Sequence, residues 1–110
     1  MKILIAEDEA DVADLLQIFI SLEFPEAEIT IASDGRMAMD KLEVLRSVDL
    51  VLSDFNMPNK NGGDFFLEVR SMFPSLPFIL VTSEDPKKHD QFANAKNFYH
   101  IDKPFTDKDI

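Results

Sequence analysis

The chain has no cysteine, which excludes a disulfide framework and thiol chemistry. It has no apolar run near the ~18 residues of a membrane span. Its start, Met1-Lys2-Ile3-Leu4-Ile5, is too short for a signal peptide's apolar region. A soluble, cytoplasmic protein is therefore expected. Basic residues are scarce, 11 against 21 acidic, for a formal net charge of -10. A duplex-binding domain shows a basic face, whereas lysines here form only short pairs such as Lys87-Lys88. Direct nucleic-acid binding is not expected, and the acidity favours basic or metal partners. Only two histidines are present, His89 and His100, too few without cysteine for a zinc-type site. Repeats, low-complexity segments and linkers are also missing.

What is present is a regular alternation. The 110 residues, 45% of them apolar, suit one domain with a real core. Apolar runs alternate with helical patterns, which argues for βαβ units and a parallel sheet. Strands are expected at 2–6, 28–32, 49–53, 78–82 and 98–101. Helices are expected at about 10–22, 36–46, 64–73 and 86–95. Val12, Leu15, Leu16 and Phe19 make one apolar stripe on the first helix. Ala38, Leu42 and Leu45 do so on the second, and Phe65, Val69 and Met72 on the third, with Phe66 and Phe73 beside them. Asp34-Gly35 reads as a turn, and Asp85-Pro86 as a cap followed by Pro at the first helical position. The phenylalanines 65, 66, 73, 78, 92 and 98 read as packing. Thr106 or Asp107 would cap a fifth helix of which only the first turn lies within the chain. The second strand alternates polar and apolar residues and fits a sheet edge, whereas the uniformly apolar first strand fits inside. With right-handed crossovers this gives an α/β, doubly wound, five-stranded sheet in the order 2-1-3-4-5.

Polar residues follow the apolar runs. Glu7 and Asp8 end the first, Asp54 the third, Thr82 the fourth, and Lys103 stands just past the fifth. Ligands of open parallel sheets bind outside the strands' carboxyl ends, so these five residues should converge. Three carboxylates held together repel, and at least one should have a raised pKa. Mg²⁺, an oxygen-seeking cation, would relieve the repulsion. Asp54 is the best-placed nucleophile for a phosphoryl group. The Lys103 ammonium would neutralise phosphoryl oxygens, and the Thr82 hydroxyl would donate to one. Pro104 biases Lys103 towards an extended backbone.

These residues carry a resemblance. The stretches Ile3-Leu4-Ile5-Ala6-Glu7-Asp8-Glu9, Asp49-Leu50-Val51-Leu52-Ser53-Asp54-Phe55-Asn56-Met57-Pro58 with Gly62, Leu80-Val81-Thr82-Ser83 and Lys103-Pro104-Phe105 resemble the receiver domain of bacterial two-component response regulators, the CheY-like family. The resemblance spans almost the whole chain, read as one receiver domain over 1–110 with an incomplete C-terminal helix. It implies a flavodoxin-like fold and phosphoryl acceptance on Asp54 from a sensor histidine kinase or phosphotransfer protein. It implies Mg²⁺ held by Asp8, by Glu7 through water, by Asp54 and by the Asn56 backbone carbonyl. Thr82 and Lys103 would bind the phosphoryl group, while Asn56 and Glu84 would tune its lifetime. Output would come from helix four, strand five and helix five, read by a downstream protein or an attached output domain.

One family position departs. The switch aromatic, three residues before the lysine–proline pair, is His100 here, with Tyr99 next to it. A one-residue shift would align Tyr99 but would reverse which side chain faces in. Two other readings fit the residues less well. A phosphorylation-independent scaffold conflicts with the complete set Glu7, Asp8, Asp54, Thr82 and Lys103. A small-molecule phosphatase of the aspartyl-phosphate type would carry an acid two positions after its nucleophile, where this chain has Asn56. A signalling protein, acting chemically only on its own phosphorylation, is expected rather than an enzyme.

Overall fold

The computed structural model describes residues 1–45, 47–83, 86, 89–92 and 95–103. Five parallel strands form one sheet: β1 (Lys2–Ala6), β2 (Glu28–Ala32), β3 (Leu50–Ser53), β4 (Phe78–Thr82) and β5 (Phe98–Asp102). Their order is β2-β1-β3-β4-β5, as the strand patterns predict. The α-helices among the described residues are α1 (Ala10–Glu23), α2 (Gly35–Leu45) and α3 (Gly62–Met72). None of these is long and apolar enough to cross a membrane.

Strand burial follows from coverage on both faces. Leu4, Ala6, Val51, Phe78 and Leu80 point towards α2 and α3, whereas Ile3, Ile5, Leu52 and Val81 point towards α1. β2, at the edge, is only partly buried over most of its length. The phenylalanines pack as expected. The Phe66 ring lies 5.1 Å from Phe78 and 5.3 Å from both Phe92 and Phe98, within the 4.5–7 Å typical of aromatic pairs. Phe55 joins them at 6.3 Å from Phe92.

Several local expectations need correction. α1 buries Ala13, Leu16 and Ile20, while Leu15 is 40% exposed. This helix is apolar on more than one face, so its pattern fits two neighbouring stripes, and only docking on Ile3 and Ile5 chooses between them. α3 begins at Gly62, two residues before the expected start, because the Asn61 side chain caps it by accepting from Asp64 N at 2.9 Å. Met72, expected in its buried face, is 46% exposed. The Asp34-Gly35 pair is not a free turn but the start of α2. Asp34 Oδ1 accepts from Met37 N at 2.7 Å, as an N-cap does. Met39 rather than Leu45 completes the fully buried face of that helix.

Of the expected fourth helix, the described residues contain the 3-10 turn Asp90–Phe92. Its expected cap Asp85, the Lys87-Lys88 pair, Glu84, Arg46, Pro104 and the start of a fifth helix at Thr106 or Asp107 lie outside the described residues.

Candidate functional site

The chain reverses its direction of travel across the sheet between β1 and β3, the place where open parallel sheets bind ligands at their strands' carboxyl ends. Glu7 leaves β1 with its N–H donating to Ala32 O at 3.0 Å, and Asp54 leaves β3 with its N–H donating to Ala6 O at 2.9 Å. Continued sheet bonding thus holds both backbones in register. Glu7 is 2% and Asp54 5% exposed, whereas Asp8 is exposed. Asp54 Oδ1 accepts from Phe55 N at 2.7 Å, and the Ser53 hydroxyl donates to the Asp54 carbonyl at 2.8 Å.

Lys103 arrives from the far side of the sheet. Its N–H donates to Thr82 O at 3.2 Å, which extends the β4–β5 pairing by one residue. Its Nζ lies 3.0 Å from Glu7 Oε1, 3.4 Å from Asp54 Oδ2 and 4.0 Å from Glu9 Oε1. The ammonium therefore bridges the two buried carboxylates. Thr82, 1% exposed, ends β4 beside it.

Electrostatics follow from burial. Glu7 is pushed up to about 7, first by loss of water and further by the nearby Asp54 charge, against the lowering effect of its Lys103 hydrogen bond. Burial works against the Lys103 ammonium, but the Glu7 hydrogen bond and the Asp54 charge outweigh it and hold its pKa above the ordinary value. Lys103 thus stays charged, and burial brings the Glu7 proton into play near neutrality.

Glu7, Asp8, Glu9 and Asp54 each offer a carboxylate oxygen, all within 4.8 Å of one another. One ammonium among four carboxylates leaves excess negative charge, and the donors are all hard oxygens, so the set fits a divalent cation such as Mg²⁺. Sequence reasoning did not assign Glu9 to the site. Its N–H donates to Glu7 Oε2 at 3.2 Å, and it directly precedes α1. The signal available in the sequence was a third consecutive acidic residue; in the structure its side chain makes no cap bond to the helix it introduces.

The structure thus brings Glu7, Asp8, Asp54, Thr82 and Lys103 to one end of the sheet. Asn56 is exposed in the loop after Asp54. Glu84 lies outside the described residues. The β4–β5 register pairs His100 with Leu80 and Tyr99 with Ile79. Leu80 faces α3 and Ile79 faces α1, so His100, not Tyr99, shares the sheet face of Thr82. His100 Nε2 lies 3.0 Å from Asp102 Oδ1 at this edge.

The response regulator receiver domain family model matches residues 3–110. The response regulator SaeR of Staphylococcus aureus (strain USA300) is 26% identical over 111 residues, which cover 98% of this chain and 46% of SaeR. The chain spans about half the length of the curated relatives it matches. Among solved structures, the chemotaxis protein CheY4 of Vibrio cholerae is similar with a TM-score of 0.83 and 28% identity, over 98% of this chain and 90% of that one. A CheY-like receiver domain protein of Methanospirillum hungatei JF-1 is similar with a TM-score of 0.84 and 26% identity, over 98% and 85%. A match that runs from β1 to the last residue, on a sheet of this order, makes the chain a member of the response regulator receiver domain family, the signalling module of two-component systems.

Proposed function

We propose that the chain is a phosphorylation-driven switch whose Asp54 accepts a phosphoryl group from the phosphohistidine of a sensor kinase or phosphotransfer protein. The observation that carries this reading is Lys103 Nζ, 3.4 Å from Asp54 Oδ2, at the edge of the acidic cluster. A nucleophilic carboxylate and a cation to receive phosphoryl charge are already neighbours.

An Asp54 oxygen attacks phosphorus. The new O–P bond forms as the donor's N–P bond breaks, and the electron pair of that bond goes to the imidazole nitrogen, which takes up a proton. Lys103 pairs with the phosphoryl oxygens, which it can do by exchanging its contact with Glu7 for one with the newcomer. Thr82, from the end of β4, donates its hydroxyl to a phosphoryl oxygen. Glu7, Asp8, Asp54 and the Asn56 carbonyl would hold Mg²⁺, with Glu9 alongside. Bound there, the ion would supply positive charge against the carboxylates and the phosphoryl oxygens. Asn56 and Glu84 tune how readily water removes the phosphoryl group.

Output runs through Thr82 and His100 to the β5 edge and the segment before it, where a downstream protein or an attached output domain reads the change. The role is signalling, and the reaction changes the chain itself rather than a separate substrate.

The test is intact mass after incubation with acetyl phosphate and Mg²⁺. Wild type should gain about 80 Da, one phosphoryl group, and Asp54→Ala should gain nothing. No gain in folded wild type at any magnesium concentration would favour a phosphorylation-independent scaffold.

A further inference from the structure

The loop that carries Asn56 is held at two separate places. At its neck, Gly62 N donates to Phe55 O at 2.7 Å, closing residues 56–61 into a lariat. Its tip is held by a different βα unit. Asn59 has φ 67, a left-handed conformation that Asn tolerates better than most residues. This conformation accompanies a bond from the Asn59 side-chain amide to Asp34 Oδ2 at 2.9 Å. The other oxygen of the same carboxylate, Oδ1, caps α2 through Met37 N at 2.7 Å. A single side chain thus starts a helix and tethers the loop.

Two further contacts hold the tip. A Cβ added at Gly35 would lie 2.4 Å from the Lys60 carbonyl oxygen, so only glycine lets the start of α2 meet the loop this closely. The Lys60 ammonium pairs with Glu68 of α3. Between neck and tip lies Asn56, whose carbonyl must face the acidic cluster for the metal site to be complete. Neither Asp34 nor Asn59 belongs to that cluster.

We propose that Asp34 and Asn59 form a positioning pair that fixes the tip of the 56–61 loop and so sets the Mg²⁺ affinity of the Asp54 site from outside it. The inference rests on the metal site proposed above. Residues that orient metal ligands alter affinity without touching the ion. Here the lever is the loop backbone: with its tip released, the loop samples conformations in which the Asn56 carbonyl turns away, and binding must select against them.

The experiment uses the full chain and two variants chosen to leave local structure intact. Asn59→Gly permits the left-handed backbone and removes the amide. Asp34→Ser keeps a cap oxygen for Met37 N and removes the oxygen that faces Asn59. Mg²⁺ affinity is followed by amide NMR shifts of Asp8 and Phe55, and acetyl-phosphate labelling is followed by mass.

Each single variant should weaken Mg²⁺ binding about three- to tenfold, the span of one hydrogen bond. The double variant should be no weaker than either single, because both remove the same bond. Labelling rates at saturating Mg²⁺ should return to the wild-type value. An affinity within about twofold of wild type for Asn59→Gly would overturn the inference, as would a double variant whose loss is the product of the singles. The reading of function falls separately: it fails, and this inference with it, if wild type neither binds Mg²⁺ nor gains mass. If wild type does both and the variants match it, only the positioning pair is lost.

Discussion

Lys103 Nζ donates to Glu7 Oε1 at 3.0 Å, joining residues 96 positions apart in the chain. Family resemblance assigns Lys103 to the phosphoryl group and Glu7 to the metal. In this structure the two serve each other.

The Glu7 proton makes stability depend on pH. Its folded pKa of about 7 stands above the ordinary 4.5, so the native state holds the proton more tightly than the unfolded chain does. The stability from this group is fully present below about pH 4.5. It is lost as pH rises through about 7, by up to about 3 kcal/mol. Urea unfolding between these limits, without divalent ions, should show this loss in wild type relative to Glu7→Gln. Mg²⁺ should oppose it at pH 7.5, adding about 1.4 kcal/mol at ten times the dissociation constant. Identical pH curves for the two proteins would contradict the assignment.

Lys103→Gln removes the charge but keeps a hydrogen-bond donor. Labelling of Asp54 by acetyl phosphate should slow by about a hundredfold to a thousandfold, the range of a lost electrostatic stabiliser. The Glu7 carboxyl should also hold its proton to higher pH, because its nearest cation is gone. Mass time courses and carboxyl-detected NMR check the two effects independently. An unchanged labelling rate would remove Lys103 from the proposed chemistry.

Gly62 governs how closely α3 approaches the end of β3. A Cβ there would lie 2.3 Å from Asp54 O and 2.8 Å from Phe55 Cα. Both are backbone atoms, so neither can swing aside. Gly62→Ala should destabilise the fold by about 2 kcal/mol or more and shift the amide resonances of Asp54 and Phe55. Chemical denaturation and NMR would show it, and a neutral substitution would mean that α3 is free to move back.

Arg70 has a structural task that no sequence pattern announces. Its Nη1 donates to the carbonyls of Phe73, Pro74 and Leu76 at 3.2, 3.2 and 2.7 Å, and its Nη2 to Asn97 O at 3.3 Å. The guanidinium also lies 5.0 Å from the Phe66 ring centroid. It thus joins the end of α3 to the entries of β4 and β5. Arg70→Lys keeps the charge but not the planar fork. It should cost about 2 kcal/mol, measured by urea unfolding, and leave Asp54 labelling in the folded protein unchanged.

Much of this molecule was legible in one dimension because its determinants are local. Apolar runs such as Ile3-Leu4-Ile5-Ala6 mark strands covered on both faces, and the polar residue after each run necessarily falls at a carboxyl edge. Strand order followed from which run was most apolar and which alternated. The gathering of Glu7, Asp8, Asp54, Thr82 and Lys103 at one end of the sheet could therefore be expected without coordinates.

Tertiary structure decided what depends on contacts between distant segments. The stripe of α1 that faces inward was ambiguous until Ile3 and Ile5 met Ala13, Leu16 and Ile20. Asp34 read as a turn residue, because a cap that also holds Asn59 needs two loops brought side by side. Which of His100 and Tyr99 shares the sheet face of Thr82 was decided by register alone, since a one-residue slip exchanges the two faces of a strand. The raised pKa of Glu7 could be expected of some carboxylate in the cluster, but which one depends on burial. Spacing along the chain determines which groups can gather at the sheet's end. Only packing determines which of them loses its water, and loss of water sets the charge.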